Sequence, residues 1–424
     1  MRLAKALLYV LPSFAVAATT ITVGVVATSS VATMAHASEK SKQAISNPKL
    51  IKPLKAAQEL IQKKNFSEAK DKLAEAEAVP GKTPYETFVV NQFLAYVSVN
   101  LKDYATAAKA YEAMMATGMS PKAEHAQNLK ALVQLNYQIK NYPKVLQFAQ
   151  RYESEIGPDI DMALIQAQTY YLQKNYKEAA SAISLAVKTA EQAGKQPKED
   201  WLNLLMSAQY HMGDKEGVAK TLEVLVQKYP APKYWKDLLG GLQGQTGLTD
   251  RQNFEIYRLK YAAGVLENAN EYVEMGELAL QLGLPGDART VIKKGFAAGL
   301  LGTGANKNRE VRLQNTAEKL ADSDMKSLPA VEKEAAAKKT GDALVKLAEA
   351  YTSYGQADTA IDLYKKGIAK GGLKDEDLTK LDMGLAYIAA GKKDQAIAAF
   401  KSVSGKSKYA TLARLWRIRT ENGR

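Results

Sequence analysis

The side chains with the richest chemistry are scarce here, and their scarcity limits what the chain can do. Cysteine is absent, and the histidines are three, His36, His125 and His211. Thiolate catalysis, Cys-ligated zinc, iron–sulfur clusters and disulfides are thereby excluded, and three scattered imidazoles are too few for a clustered site. Metal chemistry would have to rest on carboxylates. The acids, however, fall singly along the chain, as in Glu59, Glu68, Asp71 and Glu75, interleaved with lysine. That pattern reads as a solvated face with local ion pairs, and no convergent titratable cluster is visible. Gly302-Thr303-Gly304 resembles a fragment of a dinucleotide fingerprint but lacks the preceding strand and the third glycine. Gly405-Lys406-Ser407 resembles the end of a phosphate loop, yet Phe400 stands where the first glycine belongs. The residues therefore predict no enzyme, no cofactor and no metal.

What remains is the framework that would position any binding residue. The chain has 424 residues, 46% of them hydrophobic, and 58 Lys and Arg against 45 Asp and Glu give +13. It opens with Arg2 and Lys5, continues through an apolar stretch, and reaches Ala35-His36-Ala37 before the first acid, Glu39. This is the order of an export signal, with cleavage after Ala37 and a periplasmic destination. The apolar run from Leu7 to Ala35 is also long enough to span a bilayer, so the alternative is an inner-membrane anchor with the remainder facing the periplasm.

Beyond residue 50 the pattern is periodic. Gly384, Tyr387, Gly391, Ala396 and Phe400 recur as Ala348, Tyr351, Gly355, Ala360 and Tyr364, each 36 positions earlier. Gly276, Ala279, Gly283, Ala288 and Ile292 repeat the set 72 before the Gly355 unit. Further upstream the small positions Ala69, Ala107, Val145, Ala179 and Val218 are spaced by 38, 38, 34 and 39. About ten units cover Pro53 to the C-terminus. In each, a small residue permits two helices to cross closely, a larger one four positions on fills the next groove, and a turn glycine supplies a left-handed backbone. The division expected is signal 1–37, flexible linker 38–50, a first array 51–301, a degenerate repeat or hinge 302–342, and terminal repeats with a basic capping helix 343–424. Within the hinge, NREVRLQNTAEKLADSD and SLPAVEKEAAAKKTGD read as two helices of one weak pair.

These offsets resemble those of the tetratricopeptide-repeat (TPR) family, most closely at Gly384, Tyr387, Gly391, Ala396 and Phe400. The export signal and the segment Asn270 to Leu301 are similar to exported proteobacterial repeat proteins, some encoded with TonB systems. The resemblance implies an all-α, right-handed αα superhelix, or solenoid, of about ten helix pairs. It further implies a non-enzymatic scaffold that binds a protein or peptide on its concave face, in envelope assembly or transport. The residues expected to line that face are Gln92, Tyr96, Lys130, Gln134, Tyr137, Gln168, Tyr171, Asn203 and Tyr210. Tyrosine offers apolar area with a hydroxyl, and the amides offer both donors and acceptors. One Lys and one Asn in separate repeats do not form the pattern that clamps a C-terminal carboxylate. At the other end, Lys406, Lys408, Arg414, Arg417 and Arg419 read as an outward basic surface on a capping helix whose Leu412, Leu415 and Trp416 face inward. That surface supports the alternative of an envelope component contacting cell wall or anionic membrane. Nucleic acid is not an expected partner.

Overall fold

A computed structural model describes residues 45–423, and the expected export signal, with most of the linker, lies outside them. Twenty α-helices occur among the described residues and no strand. In order they are α1 (Pro48–Gln62), α2 (Phe66–Glu77), α3 (Pro84–Asn100), α4 (Tyr104–Ala116), α5 (His125–Gln138), α6 (Tyr142–Glu155), α7 (Ile160–Leu172), α8 (Tyr176–Gln192), α9 (Glu199–His211) and α10 (Lys215–Lys228). There follow α11 (Pro232–Gln243), α12 (Asp250–Ala263), α13 (Ala269–Gln281), α14 (Pro285–Ala297), α15 (Lys307–Ala337), α16 (Asp342–Ser353), α17 (Ala357–Lys370), α18 (Glu376–Ala389), α19 (Lys393–Lys401) and α20 (Ala410–Glu421). The chain divides into two compact units after Val218, inside α10, well before the hinge expected at 302–342.

The local reasons are those the sequence carries. Thr83 opens α3 with a capping box to Glu86, and Pro84 occupies a first-turn position where its missing N–H costs nothing. The Glu86 carboxylate is buried and also accepts the N–H groups of Ser46 and Asn47, tying the start of α1 to the start of α3. Burial opposes its charge, but the backbone N–H groups of Thr83, Asn47 and Ser46 prevail and hold its pKa below the usual range.

Each hairpin turn needs one residue at positive φ. Gly213, Gly283, Gly355 and Gly391 fill that role as expected, with φ of 71° to 75°. In the first four hairpins the same place is taken by Lys64, Lys102, Lys140 and Lys174, at φ 61°, 59°, 58° and 62°. A side chain with a Cβ costs about 1 kcal/mol there relative to glycine, so these turns lack the glycine that marks the others in the sequence.

The hairpins close as the spacing required. Ala69, Ala107, Val145 and Ala179 in the first unit, and Ala288, Ala360 and Ala396 in the second, are fully buried. The residues four later, among them Leu73, Tyr111, Ile183, Ile292, Tyr364 and Phe400, are buried against them. Closeness is greatest at glycine. A Cβ on Gly384 would lie 2.3 Å from the Phe400 ring, and one on Gly341 would lie 1.9 Å from the carbonyl oxygen of Gly367. Since that last neighbour is backbone and cannot swing away, Gly341→Ala should destabilise the α16–α17 pair by about 1–3 kcal/mol. Hydrogen exchange should place the loss there, and protection unchanged in α16 and α17 would refute the close crossing.

The expected weak pair at 302–342 takes a different form. Residues 307–337 are one 31-residue helix, α15, that runs through Pro329. Alanine, lysine and glutamate favour the helix strongly enough on both sides to absorb the one backbone hydrogen bond the proline removes. Ala317, Ala321, Leu328 and Ala335 form its buried stripe, a surface too continuous to be shared between two short helices.

Candidate functional site

In the first unit, the expected binding residues lie along one stripe of each leading helix. Gln92 and Tyr96 are four apart on α3, Lys130, Gln134 and Tyr137 follow on α5, Gln168 and Tyr171 on α7, and Asn203 and Tyr210 on α9. All are half-buried except Tyr210, which is exposed. Gln92 borders a shallow pocket with Tyr111, Met114, Glu124 and Asn128. The amides of Gln92, Gln134 and Gln168 take no hydrogen bond among the described residues. They are donors and acceptors still available to a ligand.

The tyrosines and the lysine are more committed. Tyr96 meets Phe66 edge-on at 6.0 Å, Tyr137 lies 6.4 Å from Tyr142, and Tyr171 lies 5.4 Å from Tyr176. The Tyr171 hydroxyl is 2.7 Å from that of Ser207 on α9. Each ring thus packs on the first residue of a second helix and stays half-buried. Lys130 donates to Asp159 at 2.6 Å and sits 5.2 Å above the Tyr152 ring. Burial disfavours its charge, but Asp159 outweighs that and raises its pKa. It bridges α5 to the cap of α7. His125 begins α5 and pairs with Glu155, and His211 stacks on Tyr176 at 4.4 Å.

The second unit holds what the sequence did not disclose. Six residues of α12, Phe254, Glu255, Ile256, Tyr257, Leu259 and Lys260, are buried, so the helix has no solvent face along its middle. Arg251 and Arg258, seven apart on one stripe, reach across to other helices. Arg251 pairs with Glu349 of α16 at 2.5 Å, Asp382 of α18 at 2.8 Å and Glu255 at 2.9 Å. Arg258 pairs with Asp287 of α14 at 2.6 Å, Asp382 at 3.1 Å and Glu255 at 3.2 Å. Glu349 occupies in its repeat the offset that Tyr96 occupies in α3, six before the left-handed turn residue, Gly355 in the one and Lys102 in the other. The inner face of the terminal repeats is therefore filled by α12.

Carboxylate oxygens of Glu255, Glu349 and Asp382 come within 4.8 Å of one another, the geometry of a metal nest. Two guanidinium groups already stand among them and supply the positive charge. Three buried carboxylates against two arginines leave one negative charge in excess, and burial pushes the pKa of Asp382 well up, against the pull of Arg251. Both arginines stay charged although burial opposes it, because the surrounding carboxylates hold their protons. Asp287, at the more exposed edge, adds a fourth carboxylate, so a proton on Asp382 lowers the negative excess without abolishing it. Above the ordinary Asp range of about 4 the folded state then holds a proton the unfolded chain releases, so stability should fall as pH rises, by up to about 1.4 kcal/mol per pH unit until Asp382 ionises. Asp382→Asn should remove that slope in denaturation of the second unit between about pH 5 and about pH 8. An equal slope in both proteins would place the proton elsewhere.

The expected basic surface is also partly consumed. Arg414 forms two 2.7 Å bonds to Glu223, Arg419 donates to the carbonyl of Ala262, and Lys408 lies 3.3 Å from Asp375. Arg417 is 3.8 Å from Glu421, and Lys406 is exposed. The local excess of positive charge was counted along the sequence, whereas Glu223 and Asp375 come to it through the fold. These cations fasten α20, whose Leu412, Leu415 and Trp416 are buried as expected, to its own unit.

Comparison with known proteins gives one family match and several similar structures. Residues 380–406, spanning α18 and α19, match the tetratricopeptide repeat. No curated protein matches the chain. A tetratricopeptide repeat protein from Parabacteroides merdae is 13% identical with a TM-score of 0.32, covering 64% of this chain and 100% of its own. The C-terminal part of a TPR repeat-containing protein from Cytophaga hutchinsonii is 14% identical with a TM-score of 0.32, covering 61% and 98%. The TPR2AB domain of yeast Sti1, solved with pHSP90, is 14% identical with a TM-score of 0.24, covering 70% and 99%.

Proposed function

We propose that this helix-hairpin repeat chain is a non-enzymatic scaffold that holds a protein or peptide segment on the inner face of its first unit. The observation that carries the reading is the contrast between the two units. In the second, the inner face is filled by α12 and its charges are paired. In the first, Gln92, Gln134 and Gln168 present half-buried, unengaged amides between half-buried tyrosine rings. An extended or helical segment laid there would meet one amide per hairpin and aromatic area beside it, a combination that gives register as well as affinity. Lys130 is not counted among the contacts, since its bond to Asp159 already serves the fold. The test is whether altering the amides lowers partner affinity while the fold keeps its stability.

We also propose that the scaffold works in the periplasm as part of an envelope complex. The support is the N-terminal grammar alone, the basic start, the apolar run and Ala35-His36-Ala37. Intact mass of the native protein should lack residues 1–37, and a full-length chain in washed membranes would favour the anchor instead.

A further inference from the structure

The lysines at the hairpin turns of the first unit close those turns with their backbone, and their side chains form no ion pair among the described residues. Lys64, Lys102, Lys140 and Lys174 each hold a backbone conformation that glycine adopts freely, as Gly213 does at the next turn. Their side chains are exposed. Strain kept at four successive turns, always on the same residue type, points outward to something the lysines bind. A second feature repeats with them. Leu101 and Ile139, immediately before two of these lysines, are each 37% exposed, and Leu172, two before the fourth, is 52% exposed.

Consecutive hairpins touch beside the first and the last of these four turns. Phe66, the first residue of α2, meets Tyr96 of the next hairpin, and Tyr176, the first residue of α8, stacks on His211 at the end of α9. Across the four turn segments 62–68, 100–106, 138–144 and 172–178 there are seven lysines and three acids. Of these, Asp103 is already paired with Lys70 and Lys144 with Glu112, each at 2.6 Å, which leaves six lysines against two acids.

We propose that this edge of the first unit docks on an anionic bilayer surface, with the turn lysines on headgroup phosphates and Leu101, Ile139 and Leu172 set into the apolar boundary beneath. The lysines alone would suit any polyanion. The aliphatic side chains beside them gain only where an apolar medium receives them, which selects a membrane over a soluble polymer or an acidic protein. The edge adjoins the inner face, since the N–H groups of Lys140 and Lys174 donate to the carbonyls of Tyr137 and Tyr171, while the lysine side chains themselves are exposed at the turns.

Because the chain has no cysteine, Ile139→Cys gives one attachment point for a polarity-sensitive dye in the full-length protein. Ile156→Cys, also exposed and at the opposite end of the same hairpin, is the control. Vesicles of phosphatidylcholine with phosphatidylglycerol should shift the emission of the dye at 139 to the blue and leave the dye at 156 unchanged, while phosphatidylcholine alone shifts neither. Replacing all four turn lysines by glycine relieves strain, so the protein should melt no lower, yet the vesicle concentration for half-maximal shift should rise more than about tenfold. No shift at 139, an equal shift at 156, or a shift that survives the four glycines would overturn the proposal. An equal response to soluble polyphosphate would assign the edge to polyanions and overturn it too.

Discussion

Arg258→Ala should destabilise the second unit by about 3–5 kcal/mol, the largest loss expected from any single truncation here. Its guanidinium is bound by Asp287, Asp382 and Glu255, all brought to it from different turns or helices, and its side chain is only 10% exposed. Removing it leaves these carboxylates facing one another in a largely buried site, Asp287 alone being partly exposed. The cost belongs to the uncompensated charges more than to the lost attraction. Simultaneous replacement of Arg258 and Asp382 by leucine should therefore recover much of the loss. Hydrogen exchange should show protection falling in α12, α16 and α18 together, since the cluster joins those helices, with the first unit unaffected. A loss below about 1 kcal/mol would mean the charges are solvated and that α12 is held by its apolar residues alone.

The second large effect concerns binding. Gln134→Ala with Gln168→Ala should weaken a partner held on the first unit by about 2 kcal/mol, roughly one hydrogen bond's net contribution at each site. These amides bond to nothing within the fold, so the melting transition should not move. Tyr137→Ala with Tyr171→Ala should also weaken binding, by more than about 1 kcal/mol. It should lower the melting temperature as well, because those rings pack on Tyr142 and Tyr176 and the Tyr171 hydroxyl reaches Ser207. The glutamine pair thus isolates recognition from packing. Unchanged affinity in the glutamine pair would remove the inner face from the account.

The hairpins were legible because their signal is local. A buried small residue, a larger one four later and a turn glycine recur within one unit, and Ala107, Ala360 and Ala396 sit where those offsets require. That Gln92, Gln134 and Gln168 share one stripe with their tyrosines follows from the same helical spacing. Contacts across distant repeats were not. Arg251 and Glu349 are nearly a hundred residues apart, and nothing in the neighbourhood of either shows that the other awaits it. Two signs were nevertheless present. Arginine seven apart on a helix that also carries Phe254 and Tyr257 is an unusual set for a solvated face, and Glu349 falls at the offset of Tyr96. The lysine turns were missed because glycine was taken as the signature of the left-handed position. The two helices expected within 302–342 are one, because Pro329, a local breaker, is overruled by helix-forming residues on both sides and a continuous buried stripe.

The central claim is that a protein segment lies on the inner face of the first unit. A photo-crosslinking amino acid placed at Gln134 or Gln168, and at Glu153 on the outer surface of α6 as control, reads that contact directly in the native compartment. Positions 134 and 168 should capture the same protein, and position 153 should not. Capture of that protein equally from all three positions, or from 153 alone, would contradict the inner-face assignment.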